Sequence, residues 1–295
     1  VEVVNTRALL EGALLVSLSI VMTTISLVFP FLGNIILLLT PLPYIVLAVR
    51  WDSQLSILAS IVTTVILMLL LGPEFLLLSL FFSGLIGVAM GAAFEEEFAP
   101  QIVIAIGTAA VLISFILNLA ITVYMFEIDI LKQLTSSLNF SGELYRQLGI
   151  SQAAVDQIIS ELFKLIKNTY LVLFLCGGLL TSSLNYYFSV KVLDKIGKFD
   201  YPGLGFLQSF KLPRIIVIIY LVSFFFSGVI WQNIYILGTF LLMSEGGIVV
   251  IYFQDKINNL LLLLGVLFLP VFLQVVLFVG IADVLFDFRK LEKEV

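Results

Sequence analysis

Apolar residues in this chain arrive in long runs. Residues 55–71 and 260–281 contain no charged side chain and show no regular polar alternation. A helix needs about 20 apolar residues to cross roughly 30 Å of hydrocarbon. There the backbone is satisfied only by helices or a closed barrel. Barrel strands alternate apolar and polar positions, and these runs do not. The chain is therefore read as all-α, a polytopic membrane helical bundle.

The pattern predicts nine spans, at about residues 8–28, 34–49, 54–71, 75–94, 101–126, 168–190, 215–231, 234–253 and 258–286. The second is short and holds Pro41 and Pro43. With nine spans, eight Lys and Arg fall on the N-terminal side of the membrane and seven on the other. Setting the long polar stretch 127–167 aside puts the N-terminus in the cytoplasm by the positive-inside rule. The basic C-terminus then lies outside, against the same rule, so the total is read as eight or nine. The stretch 127–167 is too short to bury a core of its own. Its second half reads as an amphipathic helix capped by Ser151. Val155, Ile158, Ile159, Leu162, Phe163 and Ile166 take one face; Asp156, Gln157, Ser160, Glu161, Lys164 and Lys167 take the other. Such a helix lies on the membrane surface or on the mouth of the bundle. Two regions follow: a helical core over 1–190 that includes this insertion, and a basic loop with a three-helix extension over 191–295.

Composition narrows the function. Hydrophobic residues make up 61% and charged residues 12%, against about a quarter charged in soluble domains, so lipid is the surrounding medium. A net charge of −5 supplies no basic patch for nucleic acid. The chain has no histidine and a single cysteine, Cys176. This removes histidine catalysis, His or Cys metal clusters and an internal disulfide. No GxSxG or GxGD pattern is present, so neither an enzyme nor a cofactor is expected. Gly84, Gly87 and Gly91 give a small-residue helix face for close packing, not a phosphate loop.

Polar groups at membrane depth are the candidates for chemistry. Glu245 stands in Met243-Ser244-Glu245-Gly246-Gly247, where the glycines would loosen the helix and a carboxylate would meet a cation or substrate. Its plainer roles are helix packing or an end cap. Pro41 and Pro43 free backbone carbonyls that protein or a lined cavity must satisfy. Thr40, Pro41, Pro43 and Tyr44 are therefore candidate cavity residues, together with Asn118 and Glu245. Asp283, Asp287 and Arg289 read as a structural charge cluster where the last span leaves the lipid.

Three stretches, Gly280-Ile-Ala-Asp-Val-Leu-Phe-Asp-Phe-Arg-Lys-Leu291, Lys211-Leu-Pro-Arg214 and Glu245-Gly246-Gly247, resemble the YybS-like bacterial membrane proteins, a family of unknown function. Residues 6–190 also resemble the S components of energy-coupling factor vitamin transporters. That likeness rests on Ala8-x-x-x-Gly12, Pro41-Leu-Pro43 and Arg50-Trp51. It implies a substrate cavity in an S-component-like six-helix core and a partner-helix face at Ala8 and Gly12. It also implies a coupling protein and an ATPase as partners. Three further spans and the insertion at 127–167 depart from that pattern. The expectation is a multi-pass protein of the bacterial plasma membrane, in contact with lipid, that binds or transports an unknown small molecule without its own ATPase. The alternative is a scaffold that organises envelope or signalling partners through its small-residue faces and amphipathic helix.

Overall fold

The computed structural model describes residues 6–73, 75–125, 127, 129–147, 149–196, 201–203, 211–253 and 269–290, and every regular element among them is helical. The packing separates two compact units, Val1–Gln133 with Gly177–Gly203, and Leu134–Cys176 with Leu204–Val295. Two of the three boundaries between these units fall inside helices.

In the first unit, α1 (Thr6–Val28) turns Ala8, Gly12, Val16, Ser19 and Thr23 inward, a spacing of three and four that makes one helix face. The second predicted span is two helices, α2 (Pro30–Leu38) and α3 (Leu42–Arg50), broken at residues 39–41. Every residue of α3 from Pro43 to Val49 is buried, so α3 is the axis of the unit. Around it stand α4 (Ser53–Leu71), capped by the Asp52 carboxylate on the Leu55 amide, and α5 (Leu77–Glu95). The first half of α5, Leu77–Leu85, is π-helical. The predicted small-residue face on α5 seats α3. A Cβ on Gly87 would stand 2.6 Å from the Pro41 carbonyl oxygen, and one on Gly91 would stand 2.5 Å from Ala48 Cβ. Helix α6 (Pro100–Tyr124) begins with its proline at the first turn. The closing stretch comes from the second half of α8 (Gln152–Ile196).

The second unit corrects two expectations. The amphipathic segment and the sixth span are not separate elements. They form one helix, α8, 45 residues long, about 68 Å and roughly twice the hydrocarbon thickness. The polar stretch before it is helical as well, as α7 (Ile130–Gln147). Gly149, at φ +86°, makes the turn between them. Val155 on α8 is fully buried, beside Gly142 on α7. Ile158 and Leu162 are exposed.

The seventh span is also corrected. Helix α9 (Arg214–Val222) has nine residues, about 14 Å, and does not reach across a bilayer alone. Its end is turned at Ser223, whose hydroxyl donates to the Tyr220 carbonyl. Gly228, at φ +123°, then opens α10 (Val229–Tyr252). Helix α11 (Leu269–Phe286) is the described part of the ninth span; the preceding residues of that span lie outside the described ones. Among the described residues seven segments are long and apolar enough to cross a membrane: α1, Leu32–Arg50, α4, α5, α6, α8 and α10. Within α11, Val271–Phe286 is a shorter apolar helix.

Gly246 does not loosen α10, which runs unbroken. It permits a crossing. A Cβ there would lie 1.9 Å from the Val276 carbonyl oxygen, and one on Gly280 would lie 1.9 Å from that of Leu242. The two glycines thus let α10 and α11 touch backbone to backbone. Gly247, one residue on, has nothing within 4 Å of its Cβ position. Gly246→Ala should cost about 2 kcal/mol or more through overpacking, whereas Gly247→Ala should be neutral or slightly stabilising. Thermal melts of the two variants in the same detergent check this; equal melts would contradict the crossing.

Candidate functional site

The break between α2 and α3 is where the first unit departs from regular backbone. Prolines 41 and 43 have no N–H, so carbonyls upstream lose their helical partners. The Leu37 carbonyl accepts from both the amide of Thr40, at 3.1 Å, and its hydroxyl, at 2.7 Å. The Leu39 carbonyl takes the Leu42 amide at 3.0 Å. That leaves the Leu38 carbonyl, and Asn185 of α8 donates to it from Nδ2 at 2.7 Å. The Thr40 hydroxyl, its proton committed to Leu37, accepts from Ser83 Oγ at 2.7 Å in the π-helical part of α5. Tyr44, just past the break, meets Ser19 Oγ of α1 through its hydroxyl at 2.8 Å. Ser56 of α4 donates to the Tyr44 carbonyl, also at 2.8 Å. Thr40, Tyr44, Ser83 and Asn185 are all buried.

Asn185 is held in one orientation. Both groups facing its nitrogen are carbonyls, Leu38 and Thr181 at 2.7 and 2.9 Å, so the amide oxygen must point the other way. That oxygen has no hydrogen-bond partner, and neither have the hydroxyls of Ser182 and Ser189. All three side chains are fully buried. An unmet polar group in such a place costs about 1–3 kcal/mol.

Residues 182, 185, 189, 192 and 196 share one face of α8. Val192 and Ile196, the last two, line an open cleft of about 250 Å³ against Leu14 and Leu18 of α1 and Pro43 and Val46 of α3. Glu11 and Arg50 stand at its edge. Arg50 pairs with Glu11 at 3.0 Å, Trp51 Nε1 donates to the same carboxylate at 2.8 Å, and Arg7 lies 3.4 Å from it. The cleft is thus apolar along its walls and ionic at one edge; Ser182, Asn185 and Ser189 lie on the same face of α8, fully buried and outside its lining.

The residues named from sequence fall into separate places. Thr40, Pro41, Pro43 and Tyr44 come together at the break. Asn118 lies on α6, half-exposed, with a single local hydrogen bond from Thr122 at 3.4 Å. Ala8 and Gly12 point inward, Gly12 against Leu47 and Leu55, so the chain's own helices already cover that face. Glu245 belongs to the second unit, where it joins the charge cluster. Arg289 bonds Asp283 at 2.8 Å and also Glu245, while Asp287 pairs with Lys211 at 3.2 Å. Sequence reasoning missed Glu11, Ser182 and Ser189. Hydroxyls in a helix are common and Glu11 sits near the start of the first span, where a charge is ordinary, so none carried a signal.

A loop tie completes the first unit. Tyr201 donates its hydroxyl to the Phe94 carbonyl at 2.8 Å. The Phe94 ring stacks on Tyr186, 5.0 Å between centroids. Burial, with the Glu97 and Glu95 carboxylates beside it, holds the Tyr201 hydroxyl above the ordinary tyrosine range. Its proton is thus bound more firmly in the folded protein than in the unfolded one. The stability it contributes is present below about pH 10, the ordinary tyrosine value, and is lost as pH rises through the folded value. Tyr201→Phe should therefore lower the melting temperature at pH 8 while flattening the loss of stability on the alkaline side. Melts at pH 8 and pH 10.5 test it; parallel pH curves for the two proteins would contradict it.

The sequence profile of a family described as predicted membrane proteins (DUF2232) matches residues 17–284. An uncharacterized protein of Bacillus subtilis (strain 168), YybS, is 25% identical over 308 residues, covering 97% of this chain and 98% of that protein. These matches bear out the resemblance read from the Gly280–Leu291 stretch. No solved structure matches, and the likeness to S components rests on the residues quoted for it. With seven candidate spanning segments among its described residues, the chain is a multi-pass membrane protein.

Proposed function

Given that the chain belongs to the DUF2232 family of predicted membrane proteins, we propose that it is a small-molecule binding subunit without an ATPase of its own. Its solute lies in the cleft between α1, α3 and the second half of α8. The observation that carries this reading is the row of unpartnered polar atoms on α8, Ser182 Oγ, Asn185 Oδ1 and Ser189 Oγ, on the helix face that one turn further on lines the cleft with Val192 and Ile196.

The site's chemistry sets the kind of solute. A volume of about 250 Å³ falls just under the range of about 300–1,000 Å³ usual for drug-sized ligands, so the solute is small. Its body is apolar, to match Leu14, Leu18, Pro43 and Val46. It carries an O–H or N–H, because the Asn185 oxygen can only accept. Movement across the membrane would draw energy from partners, as the S-component likeness implies, since the sequence has no phosphate-binding loop. The scaffold alternative rests on small-residue faces and the amphipathic helix; Ala8 and Gly12 are covered within the chain, while Ile158 and Leu162 of the amphipathic segment are exposed.

Purification in a mild detergent followed by native mass spectrometry tests the proposal. A small molecule should travel with the unmodified protein and be lost from Leu18→Trp, which fills the cleft. Ser189→Ala should weaken retention by roughly tenfold, the value of one hydrogen bond at a buried partner. In the ligand-free protein the same change should leave stability unchanged or slightly raised, because it removes an unmet polar group. Phospholipid alone on all three proteins would overturn the reading.

A further inference from the structure

The second unit ends in a buried charge cluster that the cleft does not use. Helix α11 stops at Phe286, and Asp287, at φ +53°, turns the chain back with its amide on the Asp283 carbonyl at 2.8 Å. Lys290 repeats the left-handed conformation at φ +58°. The reversal carries Arg289 beneath its own helix. Its backbone amide meets Asp283 Oδ1 at 3.3 Å; its Nε and Nη2 meet Oδ2 at 3.0 and 2.8 Å. Nη2 also bonds Glu245 Oε1 on α10. The side chains of Arg289, Asp283 and Glu245 are at most 1% exposed.

The charges do not balance. Two carboxylates share one guanidinium. Lys211 and Asp287 form their own neutral pair at 3.2 Å, and Arg214 and Lys290 are exposed. The remaining group facing Glu245 is the backbone amide of Leu212. Even so, Glu245 Oε2 has no hydrogen bond of ordinary geometry. The glycine crossing at Gly246 and Gly280 holds the two carboxylate-bearing helices in backbone contact, so the acids cannot move apart. A surplus buried charge costs several kcal/mol, and it is neutralised by a bound cation or a proton. A metal ion needs several oxygen ligands. Here Arg289 fills the space between the acids, one oxygen is free, and no third acid joins them among the described residues.

We propose that Glu245 and Asp283 form a one-proton site closed by Arg289, with Glu245 Oε2 as the oxygen open to the proton. The site's occupancy sets how tightly Arg289 holds the chain's last described turn. Loss of the proton leaves Glu245 and Asp283 both charged around Arg289; its gain leaves one of the two neutral.

Infrared spectroscopy of the full chain in lipid at pH 7 reads the proton directly. A carboxylic-acid C=O band should be present, should shift on labelling the protein with ¹³C-glutamate, and should vanish in Glu245→Gln. Arg289→Gln, which removes the guanidinium that both acids bond, should enlarge the carboxylic band as both acids become neutral. The labelling experiment needs no variant, so a failure of either substitution to fold leaves the answer intact. Absence of a glutamate-sensitive carboxylic band in the unmodified protein, or an unchanged band in Arg289→Gln, would overturn the proposal.

Discussion

In hydrocarbon a backbone carbonyl without a donor has nowhere to turn, and the first unit is built around one such carbonyl. Two prolines in the second span strip the partners from the carbonyls before them. Local groups recover Leu37 and Leu39, but Leu38 depends on a side chain from far along the chain, Asn185. That bond ties α2 to α8. In making it, Asn185 commits its nitrogen inward and leaves its oxygen unmet. The unmet amide oxygen on α8 is therefore a consequence of how the break is satisfied.

The second unit meets the same scarcity of water with charge. Its central contact is the close crossing of α10 and α11 at two glycines, and the acids beside those glycines are brought together by it. Arg289 reaches them only because the chain reverses at Asp287. Deleting that reversal would leave two buried acids without a cation, a costly arrangement in any low-dielectric surround. The conformation of the chain end and the electrostatics of the helix pair are thus one problem.

Much of this was legible in the sequence, for physical reasons that differ by element. Long apolar runs mark spans because length and absence of charge are all a bilayer asks. Pro41 and Pro43 mark the break because proline removes a donor wherever it stands. The pairing of Arg289 with Glu245 was hidden, since 44 residues separate them and each reads alone as a local feature. The continuity of α8 was missed because its pattern changes from amphipathic to apolar near residue 168. No glycine or proline interrupts it there, and that absence was the signal to follow. The stop after α9 was masked by apolar residues that run straight through Phe224, Phe225 and Phe226, with Gly228 as the only mark. Gly246 was read as a loosening of its own helix because its crossing partner, Gly280, lies on another element.

The central claim is that the break in the second span and the polar face of α8 make a seat for a small molecule. A density map of the full chain in lipid nanodiscs, at a resolution that shows side chains, tests it most directly. The account predicts non-protein density, larger than a water, within hydrogen-bonding distance of Asn185 Oδ1 and Ser189 Oγ. That density should extend along Pro43 and Val192. Acyl-chain density alone in the cleft, with the Asn185 oxygen capped by a donor of the chain itself, would contradict it.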